Sequence, residues 1–305
     1  MRSVYMAKNT LDKQDSKKIP ANLVGMKFDP LASVDKSAVL NYFPEEQGVL
    51  LEVAERYVEK ALTESTGDCF VDPGCGSAIL SLAVAKKFER DFRKSIQKVY
   101  AIDINKKAIK YAKSNVLKNG FSDIYSFACE PYEIESVPKN SAMLISHNVP
   151  YHPTHPKYEG RVFTSCGGGE GGQKLLREFL RVSSFHLAPR GVLYGIVNCR
   201  GGEDPEFFDY IRDFYPTDSI YWYPIHDPCS TREFLSHITR GQEPEWVEKI
   251  AKDYPKNHVG IYVIVRDCDG GKISVKKEKL KLATAGWQWR FNAHRIIQDQ
   301  AIQAT

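Results

Sequence analysis

The sequence predicts an α/β fold, a mostly parallel sheet with helices packed on both faces. Short apolar runs alternate with stretches of helical apolar spacing from Glu45 to Val197. A glycine-rich segment, Val71-Asp72-Pro73-Gly74-Cys75-Gly76-Ser77-Ala78, joins one such run to one such helix. Candidate ligand-binding residues then fall at the carboxyl ends of successive runs, which is where open sheets of this kind hold their ligands.

The elements follow in order. The first forty or so residues are polar, lysine-rich and weakly patterned, so they are expected to be extended or disordered. Val49, Leu50, Val53, Ala54, Tyr57, Val58 and Leu62 recur at helical spacing and predict an amphipathic helix over Glu45–Thr63. Strands are expected at Cys69–Asp72, Val99–Asp103, Ile124–Ala128 and Met143–Ser146, with helices at Ala78–Phe88 and Lys106–Lys118. The second of these helices ends on Asn119-Gly120, a common stop signal. The first is expected to run on through Glu89–Arg93. A helix at Leu175–Phe185 and a strand at Val192–Val197, after a turn at Pro189-Arg190-Gly191, complete the alternation. Beyond residue 200 the pattern loosens. Helices are expected at Glu203–Phe214, Thr231–Ile238 and Glu243–Lys252, and the last two strands of the sheet at Ser219–Ile225 and Val259–Val265.

Composition narrows the class. Apolar content of 42 % and charged content of 26 % are ordinary for a soluble globular protein. No apolar run reaches the roughly 20 residues needed to span a bilayer, and the start lacks a signal-peptide pattern. Seven scattered cysteines, with no paired CxxC, read as reduced thiols in a cytoplasmic protein and not as a disulfide frame or zinc site. The net charge of +4 is too mild to identify a nucleic-acid binder by itself. Its distribution is uneven: Lys272, Lys276, Lys277, Lys279, Lys281, Arg290 and Arg295 crowd the end, interleaved with Trp287, Trp289 and Phe291. This segment reads either as a surface for RNA or a ribosomal target, or as a solvated strand and tail. The expected organisation is an extension over 1–40, a main domain over 41–270 with a helical insert near 226–257, and a basic-aromatic tail over 271–305.

Two motifs carry chemistry. Gly74 and Gly76 let the backbone turn tightly and approach a ligand, and the following helix offers N–H groups suited to a carboxylate. A nicotinamide dinucleotide would use a similar loop, but its pattern wants glycine where Ile79 stands. Asp103, at the end of the next strand, is placed to hold ribose hydroxyls, with a helix cap as its other reading. Glu130 ends the third strand and is a candidate for an adenine amine. Asn148-Val149-Pro150-Tyr151 follows the strand Met143–Ser146. There the Asn148 oxygen and the Val149 carbonyl can each accept one hydrogen of a planar NH2 group, which Tyr151 would cover. His147, His152 and His155 flank this motif, but their spacing and the intervening prolines do not predict a metal centre.

With these residues in place, the chain resembles the seven-stranded S-adenosylmethionine-dependent methyltransferases, and within them the HemK/PrmC-like branch with an Asn-Pro-Pro-Tyr motif. The likeness runs from about Tyr42 to about Gly202. Tyr42–Gln47 resembles the segment leading into the branch's first catalytic-domain helix, Val71–Ala78 its cofactor loop, Ala101–Asn105 its ribose-binding segment, and Gly167–Gly172 the glycine loop after the motif. Val149 departs from the pattern by replacing the first proline, yet its carbonyl is retained and Pro150 biases it toward an extended shape.

The resemblance implies S-adenosylmethionine as cofactor, with Asp72, Gly74, Gly76, Asp103, Glu130 and Asn148 around it. It further implies methyl transfer at Asn148, Val149, Pro150 and Tyr151 to a protein glutamine or a nucleic-acid amine. Two alternatives remain at this stage. One is a small-molecule methyltransferase with the insert near Pro228–Lys252 as a lid; the other is a non-catalytic protein that kept the fold.

Overall fold

The computed structural model describes residues 20, 22–29, 39, 42, 44–158, 168–239, 241–267 and 274–278. Its strands are β1 (Cys69–Pro73), β2 (Lys98–Ile102), β3 (Tyr125–Ala128), β4 (Ala142–His147), β5 (Leu187–Gly201), β6 (Ser219–Pro224), β7 (Cys229–Ser230), β8 (Lys256–Val265) and β9 (Ser274–Lys277). The helices are α1 (Val49–Glu64), α2 (Ile79–Lys87), α3 (Glu89–Ser95), α4 (Lys106–Lys118), α5 (Lys174–His186), α6 (Phe207–Phe214), α7 (Thr231–Thr239) and α8 (Pro244–Asp253).

One sheet runs β3-β2-β1-β4-β5-β8-β6-β9, with β7 paired to β8. Strands β1 to β5 are parallel, and β8 is antiparallel to both β5 and β6. All of β1 and β4 is buried, as parallel strands covered on both faces require. Helices on the two faces give two core clusters, one around Phe70, Phe92 and Tyr194, the other around Val71, Ile145 and Leu180. The chain runs outward from β1 to β3 and then returns to place β4 on the other side of β1. That reversal opens a crevice at the carboxyl ends of β1 and β4. The glycine loop leaves β1 and Asn148 follows β4, so the topology brings both motifs to this crevice.

The α/β class is as expected, and several local expectations are corrected. A π-helical turn, Pro44–Gly48, precedes α1, so the α-helix starts at Val49 and not at Glu45. The long helix expected through Arg93 is two helices, because Phe88 (φ −108°, ψ 28°) closes α2 and opens α3. The break turns Phe92 inward, fully buried and edge-on to Phe70 and Phe121. Pro189-Arg190-Gly191 is not a turn before a strand but an irregularity within β5, where pairing jumps from Ala142–Leu187 to Leu144–Val192. Arg190 takes φ +57° there and its N–H bonds the Arg266 carbonyl. Helix α6 starts at Phe207, four residues after the expected Glu203, because Gly201 and Pro205 form an isolated bridge first. The short strand β7 was not expected from the sequence, whereas β9 falls in the segment for which a solvated strand was one of two readings.

The amino-terminal stretch also departs from expectation. Residues 22–29 lie along α4, where the side chains of Asn115 and Asn119 act as backbone surrogates. Asn115 Oδ1 accepts from Lys27 N at 2.6 Å and its Nδ2 donates to the Lys27 carbonyl at 3.0 Å. Asn119 Oδ1 accepts from Val24 N at 3.0 Å. Leu23 is buried and Val39 N donates to buried Asp29, so part of a lysine-rich segment is tied down by polar groups and a few apolar ones. Of the basic-aromatic tail, Lys276 and Lys277 are described and both serve β9: Lys276 lies over the Tyr221 ring and Lys277 pairs with Asp204. Lys272, Lys279, Lys281, Trp287, Trp289, Arg290, Phe291 and Arg295 lie outside the described residues. Among the described residues no helix is long and apolar enough to cross a membrane.

Candidate active site

The glycine loop is shaped by backbone that an ordinary residue resists. Gly74 has φ +68° and Gly76 φ +53°, and both Gly74 N and Cys75 N donate to the Ile102 carbonyl at 2.8 and 3.0 Å. These bonds tie the loop after β1 to the end of β2. Asp103 follows directly and uses both carboxylate oxygens on main chain, accepting from Gly76 N at 2.9 Å and Asn105 N at 2.8 Å. Burial raises its pKa, against the lowering effect of those two bonds. Asn105 caps α4 by accepting from Lys107 N at 2.9 Å, so the cap reading weighed for Asp103 belongs to its neighbour. Glu130 is exposed two residues past β3.

Asp72 does not fit its expected contact with a cofactor. It is 3 % exposed, beneath the loop, and both oxygens are taken: Ser81 Oγ donates at 2.6 Å and Ser146 Oγ at 2.7 Å. It therefore fastens α2 and β4 to β1. Burial pushes its pKa up from 3.8 to about 6 despite the two serine donors. The folded form then binds the proton more tightly than the unfolded chain, so this group's contribution to stability falls as pH rises from about 4 and the penalty is complete above about 6. At 1.36 kcal/mol per unit this amounts to about 3 kcal/mol. Asp72→Asn, neutral throughout, should gain about that much relative to wild type between about pH 4 and pH 7 in urea unfolding. A constant difference across that range would contradict the assignment.

The motif after β4 meets the loop directly. Val149 is 1 % exposed, and a Cβ built on Gly74 would stand 3.8 Å from Val149 Cγ1 and 3.8 Å from Phe179 Cε2. The residue that departs from the resembled motif thus packs in the apolar core close to the glycine loop. Asn148, partly exposed beside it, makes no side-chain hydrogen bond to the described residues. Tyr151 is 6 % exposed and its hydroxyl donates to Glu46 Oε2 at 2.9 Å. Its ring is packed in the core, so it braces the motif and has little face left to cover a substrate, contrary to expectation. Glu46, on the turn before α1, is a site residue that sequence reading missed; its place in the Tyr42–Gln47 segment was the available signal.

A second glycine loop supports the same motif from the other side. Gly168 N donates to the His152 carbonyl at 2.9 Å and Thr154 N to the Gly169 carbonyl at 2.8 Å. Gly172 has φ +77°, and a Cβ there would be 2.5 Å from the Tyr151 carbonyl oxygen, so only glycine permits this approach. Gly167 lies outside the described residues. The insert reaches the loop as well. Lys157 Nζ bonds Glu243 Oε1 at 3.0 Å, and Trp246 on α8 donates to Glu170 Oε1 at 3.2 Å while its ring lies edge-on to His155.

The histidines part company. His147 is fully buried, with Nδ1 2.8 Å from Tyr262 Oη and Nε2 2.9 Å from Ser183 Oγ, and burial lowers its pKa to about 3. It is a neutral cross-link between β4, β8 and α5, turned into the core although it stands beside the motif in sequence. His152 is buried, and His155 packs against Trp246 of α8.

Comparison with known proteins agrees with this geometry. Residues 50–149 match the family model of ribosomal protein L11 methyltransferase (PrmA), a span that holds the glycine loop, Asp103 and the start of the motif. A search of curated proteins gives no match. Among solved structures, the hMettl16 catalytic domain in complex with the MAT2A 3'UTR hairpin 1 superposes with a TM-score of 0.51 at 11 % identity, over 83 % of this chain and 78 % of that one. A putative class I S-adenosylmethionine-dependent methyltransferase from Listeria monocytogenes gives 0.47 at 11 %, over 86 % and 74 %. The M. jannaschii tRNA m1G37 methyltransferase gives 0.43 at 14 %; 76 % of this chain is covered, but the chain spans only 53 % of that protein. Sheet order and glycine loop agree with the class I methyltransferase fold of the hMettl16 catalytic domain, and the family match over residues 50–149 is a likeness to PrmA in the part of the chain that holds the loop.

Proposed function

We propose that the chain methylates the nitrogen of a planar NH2 group, an amide or the exocyclic amine of a base, presented to Asn148. The observation that carries this reading is the closeness of Val149 to the Gly74 loop, which sets a polar side chain with no partner among the described residues beside the cofactor cradle. The cradle suits S-adenosylmethionine. Positive-φ glycines allow close approach, the N-terminal turn of α2 can receive a carboxylate, and Asp103 stands where ribose hydroxyls are held. Glu130 is the candidate partner of the adenine amine. When bound, the cofactor supplies a methyl group already activated by its sulfonium.

The protein's task is alignment. Asn148 Oδ1 and the Val149 carbonyl accept the two amine hydrogens and keep the nitrogen lone pair directed at the methyl. Pro150 holds Val149 extended. Tyr151, anchored through Glu46, fixes the motif's exit, and Gly172 fixes it from the far side. No strong base is needed, because the proton leaves after transfer. The folding of Gly168–Gly172 against His152–Thr154 also supports the resemblance to the HemK/PrmC-like branch.

Packing of α8 against His155, Lys157 and Glu170 favours a second reading, a small-molecule methyltransferase with α8 as cover. Incubation of the protein with methyl-labelled cofactor and a cell extract separates the two. Label in protein or nucleic acid, released as an N-methyl amide or N-methyl base, is the expected result. Label confined to small molecules, or found on oxygen or carbon, would overturn the proposal.

A further inference from the structure

Beside the motif lies a cleft of about 480 Å³ at the N-terminal end of α5, floored by Gln173 and lined by Gly171, Lys174, Arg177, Arg200 and Tyr210. Its charge is unbalanced toward cations. Glu178 is occupied by Arg181 and Glu206 by Arg200, which leaves Arg177 stacked over the Tyr210 ring at 5.2 Å with no carboxylate partner among the described residues. Gln173 is 5 % exposed; its Oε1 accepts the Tyr210 hydroxyl, and its Nε2 has no hydrogen-bond partner among the described residues. A buried N–H donor left unpaired costs on the order of 1–3 kcal/mol, so one on a residue that lines a cationic cleft marks a place for an acceptor. The first turn of α5 is an anion-favouring helix end, although its Lys174 N–H is already given to the Gly168 carbonyl at 2.9 Å.

The cleft and the motif are contiguous. A Cβ on Gly171 would be 3.3 Å from the Arg200 guanidinium, and one on the next residue, Gly172, would be 2.5 Å from the Tyr151 carbonyl. Adjacent residues thus touch the two sites. We propose that this cleft seats a backbone phosphate of a nucleic-acid substrate whose base is offered to Asn148; the inference rests on the amine-transfer reading above. Gln173 Nε2 and Arg177 donate to the phosphate oxygens, and Arg200 contributes charge from the opposite wall. A glutamine side chain in a protein substrate would bring no such anion.

Binding of a fluorescent single-stranded RNA of mixed sequence to the full chain, read by anisotropy at several salt concentrations, tests this without turnover. Arg177→Ala and Gln173→Ala should each weaken binding by roughly 5- to 30-fold. Arg177→Ala, exposed and so safe for folding, should also lower the salt slope by about 1. A DNA of the same sequence as a parallel arm shows whether the sugar matters. Wild-type affinity in both variants, or competition by polyglutamate as effective as by unlabelled RNA, would overturn the phosphate seat. If Asn148→Ala kept full methyl transfer while Arg177→Ala lost RNA, the amine reading would fail and the phosphate seat would stand.

Discussion

Asn148→Ala should lower kcat by roughly 10²–10³-fold while changing affinity for S-adenosylmethionine by less than about twofold. The asymmetry follows from geometry. Asn148 bonds no other described residue, so its removal leaves the fold and the glycine loop in place. The loop is held by the Ile102 carbonyl and Asp103, neither of which touches the amide. What disappears is one of two acceptors for the target amine. Calorimetry showing lost cofactor binding, or an assay showing near-wild-type turnover, would reject this role.

The second large effect is expected at Asp103. Asp103→Ala should weaken cofactor binding by roughly 30- to 100-fold, the loss of a charge-assisted pair of bonds worth about 2–3 kcal/mol. In the folded protein that carboxylate already orders Gly76 and Asn105, so the substitution loosens the cradle as well as removing the ribose acceptor. Because burial raises its pKa, cofactor affinity should fail at a higher pH than for an ordinary aspartate as the solution is acidified. Isothermal titration with S-adenosylhomocysteine measures both. Unchanged affinity in Asp103→Ala would mean the ribose lies elsewhere.

Much of this architecture was legible from periodicity. Continuous apolar runs marked β1 and β4, and the helical spacing of α1 and α4 survived into the fold almost unchanged. The reversal of strand order needed only the fold class to place both motifs at one crevice. Other features depended on side chains whose partners are distant in sequence. Asp72 reads as a loop carboxylate, and only the positions of Ser81 and Ser146 turn it into a buried fastener. His147 sits next to Asn148, but strand alternation points it into the core toward Tyr262 and Ser183. Gln173 carries no motif at all; it gains meaning because Tyr210, on another helix, satisfies one end of its amide. The division of α2 from α3 was hidden because both halves are helical and only the need to bury Phe92 separates them.

That the glycine loop and the Asn148 motif form a single site is best tested by a crystal structure of the protein with S-adenosylhomocysteine. The ligand should lie over Gly74 and Gly76 with its ribose on Asp103 and its sulfur facing the Asn148 side chain, leaving room for one amine between them. A ligand bound with its sulfur turned away from Asn148, or held at another edge of the sheet, would contradict the assignment.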